Sequence, residues 1–306
     1  MTLPVLPGWA WIPIVLFAAA TQTARNAAQR SLTETLGALP ATLVRFVYGL
    51  PFALLWLALV YAFTPGPLLL PAFNVSFWMW LTIGALGQIA ATFFLLSGMQ
   101  ERNFIVAVTY SKTELVQIAA FGLLFLGDTP SALSVSAVLI ASVGVVLLSM
   151  PKGLSAAGEA TWAGRAAVLG LASGTGFAFA MIGYRGAALA LGDFPVWLIG
   201  AWGVFLAQII QSVTLGLWLE MRTPGTLAQL ARAWRLSTMA GACGAFASIG
   251  WFTAFALRPA TDVRILGLTE VFFSYLVSRR LFRESMTAFE IGGMLLVSAA
   301  VVLVCL

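Results

Sequence analysis

The sequence has no histidine and only two cysteines, and charged residues make up 9% of its 306 positions. Each shortage removes a class of chemistry. Without histidine there is no imidazole base, no histidine proton relay and no histidine metal ligand. Cys243 and Cys305 both fall inside apolar runs. They suit neither a structural disulfide nor a metal cluster, and no metal or cofactor is expected. A soluble domain carries about 25% charged residues, so a chain this poor in charge could not cover a surface facing water. No low-complexity stretch and no candidate soluble domain appears. No Walker motif or phosphate-cradling glycine loop with a lysine occurs, which argues against ATP drive within the chain. Nor is there an Asp-rich metal-phosphate motif, a pair of aspartates or a Ser/His set of the kind intramembrane enzymes need. The chain is read as not an enzyme.

Apolar residues are abundant, at 61% of the chain. They gather in runs near the roughly 20 residues that cross about 30 Å of hydrocarbon. Backbone polar groups must pair internally there, so the choice is between helices and closed barrels. Long unbroken runs favour helices over the alternating pattern of a barrel. Ten spans are read: 9–29, 40–63, 77–100, 104–126, 131–150, 165–189, 195–219, 236–257, 263–281 and 286–305. Pro40, Pro130 and Pro195 stand at span starts, where a missing N–H costs nothing. The first run has no basic leader and no clear cleavage site, so it is read as a retained helix. The net charge of +5 sits mostly at helix ends. Anionic lipid headgroups, not nucleic acid, are the expected partners besides a small-molecule substrate. The chain is expected to act as a monomer or weak homo-oligomer.

An internal repeat organises these spans. Arg30, Gly37 and Pro40 recur as Arg185, Gly192 and Pro195, all shifted by 155 residues. Thr113-Glu114 recurs as Thr269-Glu270, Asp128 as Glu284, Ser142 as Ser298 and Val145 as Val301, all shifted by 156. Residues 1–153 and 154–306 are therefore read as two five-helix repeats, with 151–163 as the boundary. Five is odd, so the second repeat enters the membrane in the opposite sense. The expected fold is an all-α polytopic membrane protein of ten transmembrane helices, two inverted-topology repeats around a central cavity.

Polar residues inside the spans mark candidate sites, because ionisable groups at membrane depth cost roughly 2.5–3.5 kcal/mol. Glu114 and Glu270 carry two readings: protonatable carboxylates, or structural anchors tying their helices to the bundle. Lys112 has Leu268 as its repeat mate, and this asymmetry suits an ammonium that holds a substrate carboxylate. Its alternative is a partner for an acid on another helix. Gln22 stands in a stripe with Arg25, Asn26 and Gln29, Gln88 beside Ala91 and Thr92, and Gln208 beside Phe205, Gln211 and Ser212. Tyr110 shares a helical face with Glu114 and Gln117. Phe177 follows Ser173 and precedes Met181, and Trp251 lies between Ser248 and Phe255. Gln22, Gln88, Tyr110, Lys112, Phe177, Gln208 and Trp251 are the candidate substrate-binding residues. Gly84/Gly87, Gly200/Gly203 and Gly241/Gly244 are read as close helix contacts. Asp128 and Glu284 are expected to favour the starts of the fifth and tenth spans.

The fourth span of each half carries Glu114 or Glu270. It is followed by an apolar stretch and a short acidic turn, Leu126-Gly127-Asp128 or Phe282-Arg283-Glu284, and then by a Gly-containing span. This pattern resembles the drug/metabolite transporter superfamily in its ten-helix, two-repeat form, over nearly the whole chain. Within it the chain is similar to the YddG-type amino-acid exporters. The resemblance implies a secondary transporter that exports amino acids, aromatic and others, by alternating access at a midplane site. It implies a multi-pass protein of the plasma membrane, the inner membrane in a bacterium. Export of drugs, sugars or nucleotide derivatives is the alternative, and an intramembrane enzyme the distant one. Orientation is contested. Basic residues crowd the ends joined by the odd-numbered loops, which would put both termini outside, whereas the resemblance implies both inside.

Overall fold

The computed structural model describes residues 7–64, 70–99, 104–149, 164–273, 275–276 and 287–306. Among the described residues every regular element is a helix. In chain order they are α1 (Trp11–Leu36), α2 (Ala38–Val47), α3 (Leu50–Phe63), α4 (Val75–Met99), α5 (Phe104–Ser111) and α6 (Glu114–Phe121). A widened turn, Gly122–Leu126, continues α6. Then follow α7 (Ala132–Leu148), α8 (Arg165–Ala190), α9 (Val196–Arg222), α10 (Thr226–Arg232), α11 (Trp234–Leu257), α12 (Ala260–Gly267) and α13 (Ala288–Cys305). Among the described residues six stretches are long and apolar enough to cross a membrane: Ala38–Phe63, Val75–Gly98, Arg165–Ala190, Val196–Arg222, Trp234–Leu257 and Ala288–Cys305. Large side chains such as Leu139, Leu217 and Leu295 stand exposed along these and neighbouring helices. A water-soluble protein would bury such a surface, whereas a lipid-facing one leaves it outward. The protein is an all-α polytopic membrane protein.

The helices differ from the expected spans in informative places. α1 runs seven residues past the expected end at 29, to Leu36, and stops where Gly37 turns left-handed at φ 84°. Its second half holds Gln22, Arg25, Asn26 and Gln29, which makes it too polar to rank with the six apolar spans. The expected second span is two helices, parted at Tyr48-Gly49. The fourth span is broken at Lys112-Thr113 and the ninth at Leu268-Thr269. Ser131 caps α7, and Thr287 caps α13 through a reciprocal capping box with Glu290. Capping is thus done by hydroxyls, with Asp128 three residues ahead of the first cap. The expected acidic turn Phe282-Arg283-Glu284 and the boundary at 151–163 lie outside the described residues.

The chain packs as two compact units, Met1–Leu86 with Gly183–Arg258 and Gly87–Ile182 with Pro259–Leu306. Each unit draws on both the first and the second half of the sequence.

The first unit is built on α11. Gly250 lets α1 close on it, since a Cβ there would lie 2.8 Å from Ala18 Cβ and 3.2 Å from the Ile14 carbonyl. Gly200 and Gly203 seat α9 against Thr253 and Phe252, and Gly241 seats Tyr48 from the link after α2. These are small-residue contacts of the kind that join helices where lipid supplies no hydrophobic drive. In the second unit α7 and α13 cross backbone to backbone. A Cβ on Gly144 would lie 3.0 Å from the Gly293 carbonyl, and one on Gly293 2.7 Å from the Gly144 carbonyl. Around that crossing Leu115, Val138, Val145, Ile265 and Val297 form an apolar core. The N-terminal part of α8 packs on α4 through Gly176 against Ala91, and the Ser173 hydroxyl donates to the Ala91 carbonyl at 3.0 Å.

Candidate functional site

Two polar clusters interrupt this apolar packing, one in each unit. The cluster in the second unit forms around the two broken spans. At the first break the amides of Lys112 and Thr113 bond the carbonyls three residues back, Thr109 and Tyr110, at 3.1 Å each. At the second, the amides of Leu268 and Thr269 bond Ile265 and Leu266, again at 3.1 Å. Beyond them Leu115 N–H meets the Lys112 carbonyl at 3.5 Å, and Val271 N–H meets Leu268 at 2.9 Å. Gln117 N–H then meets Thr113 at 3.1 Å, and Phe273 N–H meets Thr269 at 3.4 Å. Four backbone bonds therefore recur at a shift of 156 residues. Tightened turns inside a helix store local strain and commonly mark functional positions.

Each break opens directly onto a glutamate, and one arginine serves both. Arg264, in the last turn of α12, brings Nη2 to 2.8 Å and Nε to 3.2 Å from the same Glu114 oxygen. The same Nη2 lies 3.9 Å from a Glu270 oxygen. The three side chains are 11%, 7% and 18% exposed. Two carboxylates, the buried Glu114 and the half-buried Glu270, face one guanidinium, so these three groups sum to one negative charge when all are ionised. Two residues before Arg264, Asp262 accepts a hydrogen bond from Ser134 on α7 at 2.8 Å. Glycines position the first break: a Cβ on Gly174 of α8 would lie 2.9 Å from the Ser111 carbonyl and 3.0 Å from Thr113 Oγ1.

The expected residues distribute unevenly around this cluster. Lys112 is half-buried at the break itself, and among the described residues no carboxylate pairs with it. Tyr110 packs with Ala107, Ala166 and Ala167, and its carbonyl takes the Thr113 hydroxyl at 2.7 Å. Gln117 donates to Thr113 Oγ1 at 2.9 Å. At the position 156 residues after Gln117 stands Phe273, and the Thr269 hydroxyl, buried in the second break, has no partner among the described residues. Gln88 and Phe177 are half-buried on α4 and α8. The stacked ring on α8 is Phe179, at 4.9 Å from Phe121.

The polar cluster of the first unit joins α1, α2, α8, α9 and α11. Gln22 accepts a hydrogen bond from the Trp251 indole at 3.0 Å, and Trp251 stacks on Phe255. The Gln211 amide donates to the Tyr184 hydroxyl at 2.9 Å, and Tyr184 packs on Phe252 with ring centroids 4.4 Å apart. Gln208, one turn before Ser212, is buried against Gly49 at the kink after α2. Arg185 donates to the Phe255 carbonyl at 2.7 Å.

Thus Gln22 meets Trp251, and Glu114 meets Glu270 through a residue that sequence reasoning did not select. By sequence alone Arg264 is one basic residue near a span end. A continuous helix sets residues six apart about 240° from each other, so nothing in the spacing links Arg264 to Glu270. The usable signal was an arginine and an aspartate close before a glutamate in an apolar run, with the uncharged Val108 standing 156 residues before Arg264.

No family model matches this chain, and no curated protein matches it. Its fold is similar to that of solved chains. One, a crystal structure described simply as that of a protein, superposes with a TM-score of 0.69 over 96% of both chains at 13% sequence identity. Similarity at that identity concerns the fold alone.

Proposed function

We propose that the protein is a secondary transporter of small metabolites, an exporter of amino acids, working by alternating access at a midplane site. The matched breaks carry this reading. Helix interruptions at repeat-related positions, lined by buried charges, are how transporters expose backbone groups and ionisable side chains to a cargo or coupling ion within the bilayer. In this reading the chain has ten spans in two inverted five-helix repeats of the drug/metabolite transporter type, and it sits in the plasma membrane. Two further correspondences support the repeat. Gly37 and Gly192 both adopt left-handed backbone, at φ 84° and 60°. The prolines three residues beyond them both stand in the opening of a helix.

Gln22, Gln88, Tyr110, Lys112, Phe177, Gln208 and Trp251 are the proposed cargo-facing residues. Glu114 and Glu270 are the groups available to a proton. Arg264 supports a structural share in their role, since it neutralises one of them at a time.

The test is counterflow in liposomes containing the purified chain. Labelled L-phenylalanine should enter faster when unlabelled amino acid is loaded inside, and the effect should saturate. Flux no greater than in empty liposomes, across amino acids, sugars, nucleotides and amphipathic drugs, would sink the proposal. Saturable flux of one of the other classes would move the cargo and keep the transporter.

A further inference from the structure

We infer that the link from α9 to α11, with the short helix α10 inside it, is a docking surface for the headgroups of anionic phospholipids. The surface is independent of what the protein carries.

Charge is unequal at the two ends of the α9–α11 pair. Both helices are apolar spans, and Gly200 and Gly203 seat one on the other against Thr253 and Phe252. They are consecutive spans, so Arg222 in the last turn of α9 and Arg235 in the first turn of α11 stand at one end of the pair. Arg232, the last residue of α10, lies in the link between them. From Glu220 to Arg235 the chain holds three arginines and one glutamate, a net charge of +2. The other end of the pair has Asp193 before α9 and Arg258 after α11. Those two balance in sign. Arg258 is also engaged there, with Nη2 3.4 Å from the Gly8 carbonyl and its guanidinium 5.5 Å from the Trp11 ring centroid.

At the basic end the positive charge is left unspent. Arg222, Arg232 and Arg235 are all exposed, and among the described residues none of them pairs with a carboxylate. Glu220 spends both oxygens on the amides of Gly225 and Leu227, at 2.7 and 3.1 Å. Those bonds fix the start of α10. The Tyr48 hydroxyl holds its later part by donating to the Leu230 carbonyl at 3.0 Å. Thr226 and Leu230 are buried, while Leu227 is 45% exposed and Trp234, just beyond α10, is 56% exposed. Exposed apolar side chains and an indole set among arginines are the composition of a membrane–water boundary. The Arg235 guanidinium lies 5.5 Å from the Trp234 ring centroid, a cation held at the level of an interfacial ring. A guanidinium fork matches the free oxygens of a lipid phosphate, and each basic residue near an anionic lipid surface strengthens attachment about fivefold. A soluble acidic partner would match the charge alone. This surface ends two membrane spans, which puts it at the depth of the headgroups.

Native mass spectrometry of the full chain in detergent tests the surface, by titration with dioleoylphosphatidylglycerol or dioleoylphosphatidylcholine. The two lipids share acyl chains and differ in headgroup charge. Phosphatidylglycerol should bind at least about tenfold more tightly. Arg232→Gln should weaken it about fivefold, and Arg222→Gln/Arg232→Gln/Arg235→Gln should bring it within about twofold of phosphatidylcholine. Arg258→Gln, at the other end, should change neither lipid. Unchanged phosphatidylcholine binding reports that a variant is folded, and Arg232→Gln alone decides if the triple variant is not. Equal binding of the two lipids by the unaltered chain would overturn the assignment. So would phosphatidylglycerol affinity within twofold of the unaltered value in the triple variant (in Arg232→Gln, where that variant decides), or a loss in Arg258→Gln as large as theirs.

Discussion

Replacing Arg264 tests the charge balance of the second unit most directly. In the intact protein its guanidinium makes two short contacts to one Glu114 oxygen, at 2.8 and 3.2 Å, and a longer one to Glu270 at 3.9 Å. Arg264→Gln removes the guanidinium between the Glu114 and Glu270 carboxylates, and breaking a buried pair in this way costs about 3–5 kcal/mol. Glu114→Gln removes the hydrogen-bonded acceptor and leaves Arg264 with Glu270. A charged hydrogen bond contributes about 1.5–3 kcal/mol, so the loss should fall in that range. Glu270→Gln is expected to differ in kind. It deletes the more distant carboxylate and leaves a neutral Arg264–Glu114 pair. The loss at 3.9 Å, beyond hydrogen-bond length, is offset by relief of like-charge repulsion, so stability should change by less than about 1 kcal/mol. The double variant Arg264→Gln/Glu114→Gln should be more stable than Arg264→Gln alone. Unfolding by sodium dodecyl sulfate in mixed micelles supplies all four values. If Arg264→Gln costs under about 1 kcal/mol, the charges are not effectively buried. If Glu270→Gln costs as much as Glu114→Gln, the asymmetry of the two distances has no energetic meaning.

Two adjacent glycines in α13 should respond differently to the same substitution. At Gly293 a new Cβ would meet the Gly144 carbonyl at 2.7 Å and the Leu148 amide nitrogen at 3.1 Å, both backbone. Gly293→Ala should therefore cost about 1–3 kcal/mol in the same assay. At Gly292 the nearest atom is Leu147 Cδ1 at 4.0 Å, so Gly292→Ala should be neutral or gain about 0.5–1 kcal/mol from helix propensity. Equal effects would refute the backbone crossing of α7 and α13. Tyr184→Phe should cost about 1–3 kcal/mol by removing the acceptor of the buried Gln211 amide. It should be more harmful than Tyr61→Phe, whose hydroxyl accepts from Trp202 in a less buried setting. Thermal unfolding of the two variants side by side checks that order.

The membrane class was legible in the sequence because it follows from composition and run length, which need no tertiary information. The repeat spacing also located features that have backbone counterparts. The glycines at 37 and 192 turn left-handed, and the Thr-Glu pairs at 113–114 and 269–270 sit on the two breaks. The breaks themselves were not legible. Lys112-Thr113 and Leu268-Thr269 hold neither proline nor glycine, and their tight turns are set by packing, at the first break against Gly174. Helix 1 was read too short because polar side chains look like an ending. In fact Gln29 donates to the Ala41 carbonyl at 3.1 Å, and the helix continues. That extension moves Arg25 from a helix end toward its middle, and it weakens any orientation argument that counts Arg25 as a loop charge. Arg264 was missed for the opposite reason. It lies near a span end in the sequence, while its partner on α6 is 150 residues away.

The seam between Gly144 and Gly293 has a practical meaning for anyone watching this protein move. Two rods that touch main chain to main chain, with Leu148, Leu296 and Val297 closed over the two glycines, are interlocked, so α7 and α13 should travel as a single strut. Reporter groups on the outward-facing Val143 and Leu295, 55% and 66% exposed, would then keep one separation through every stage of a working cycle. They would supply a fixed ruler against which displacements elsewhere in the molecule are measured.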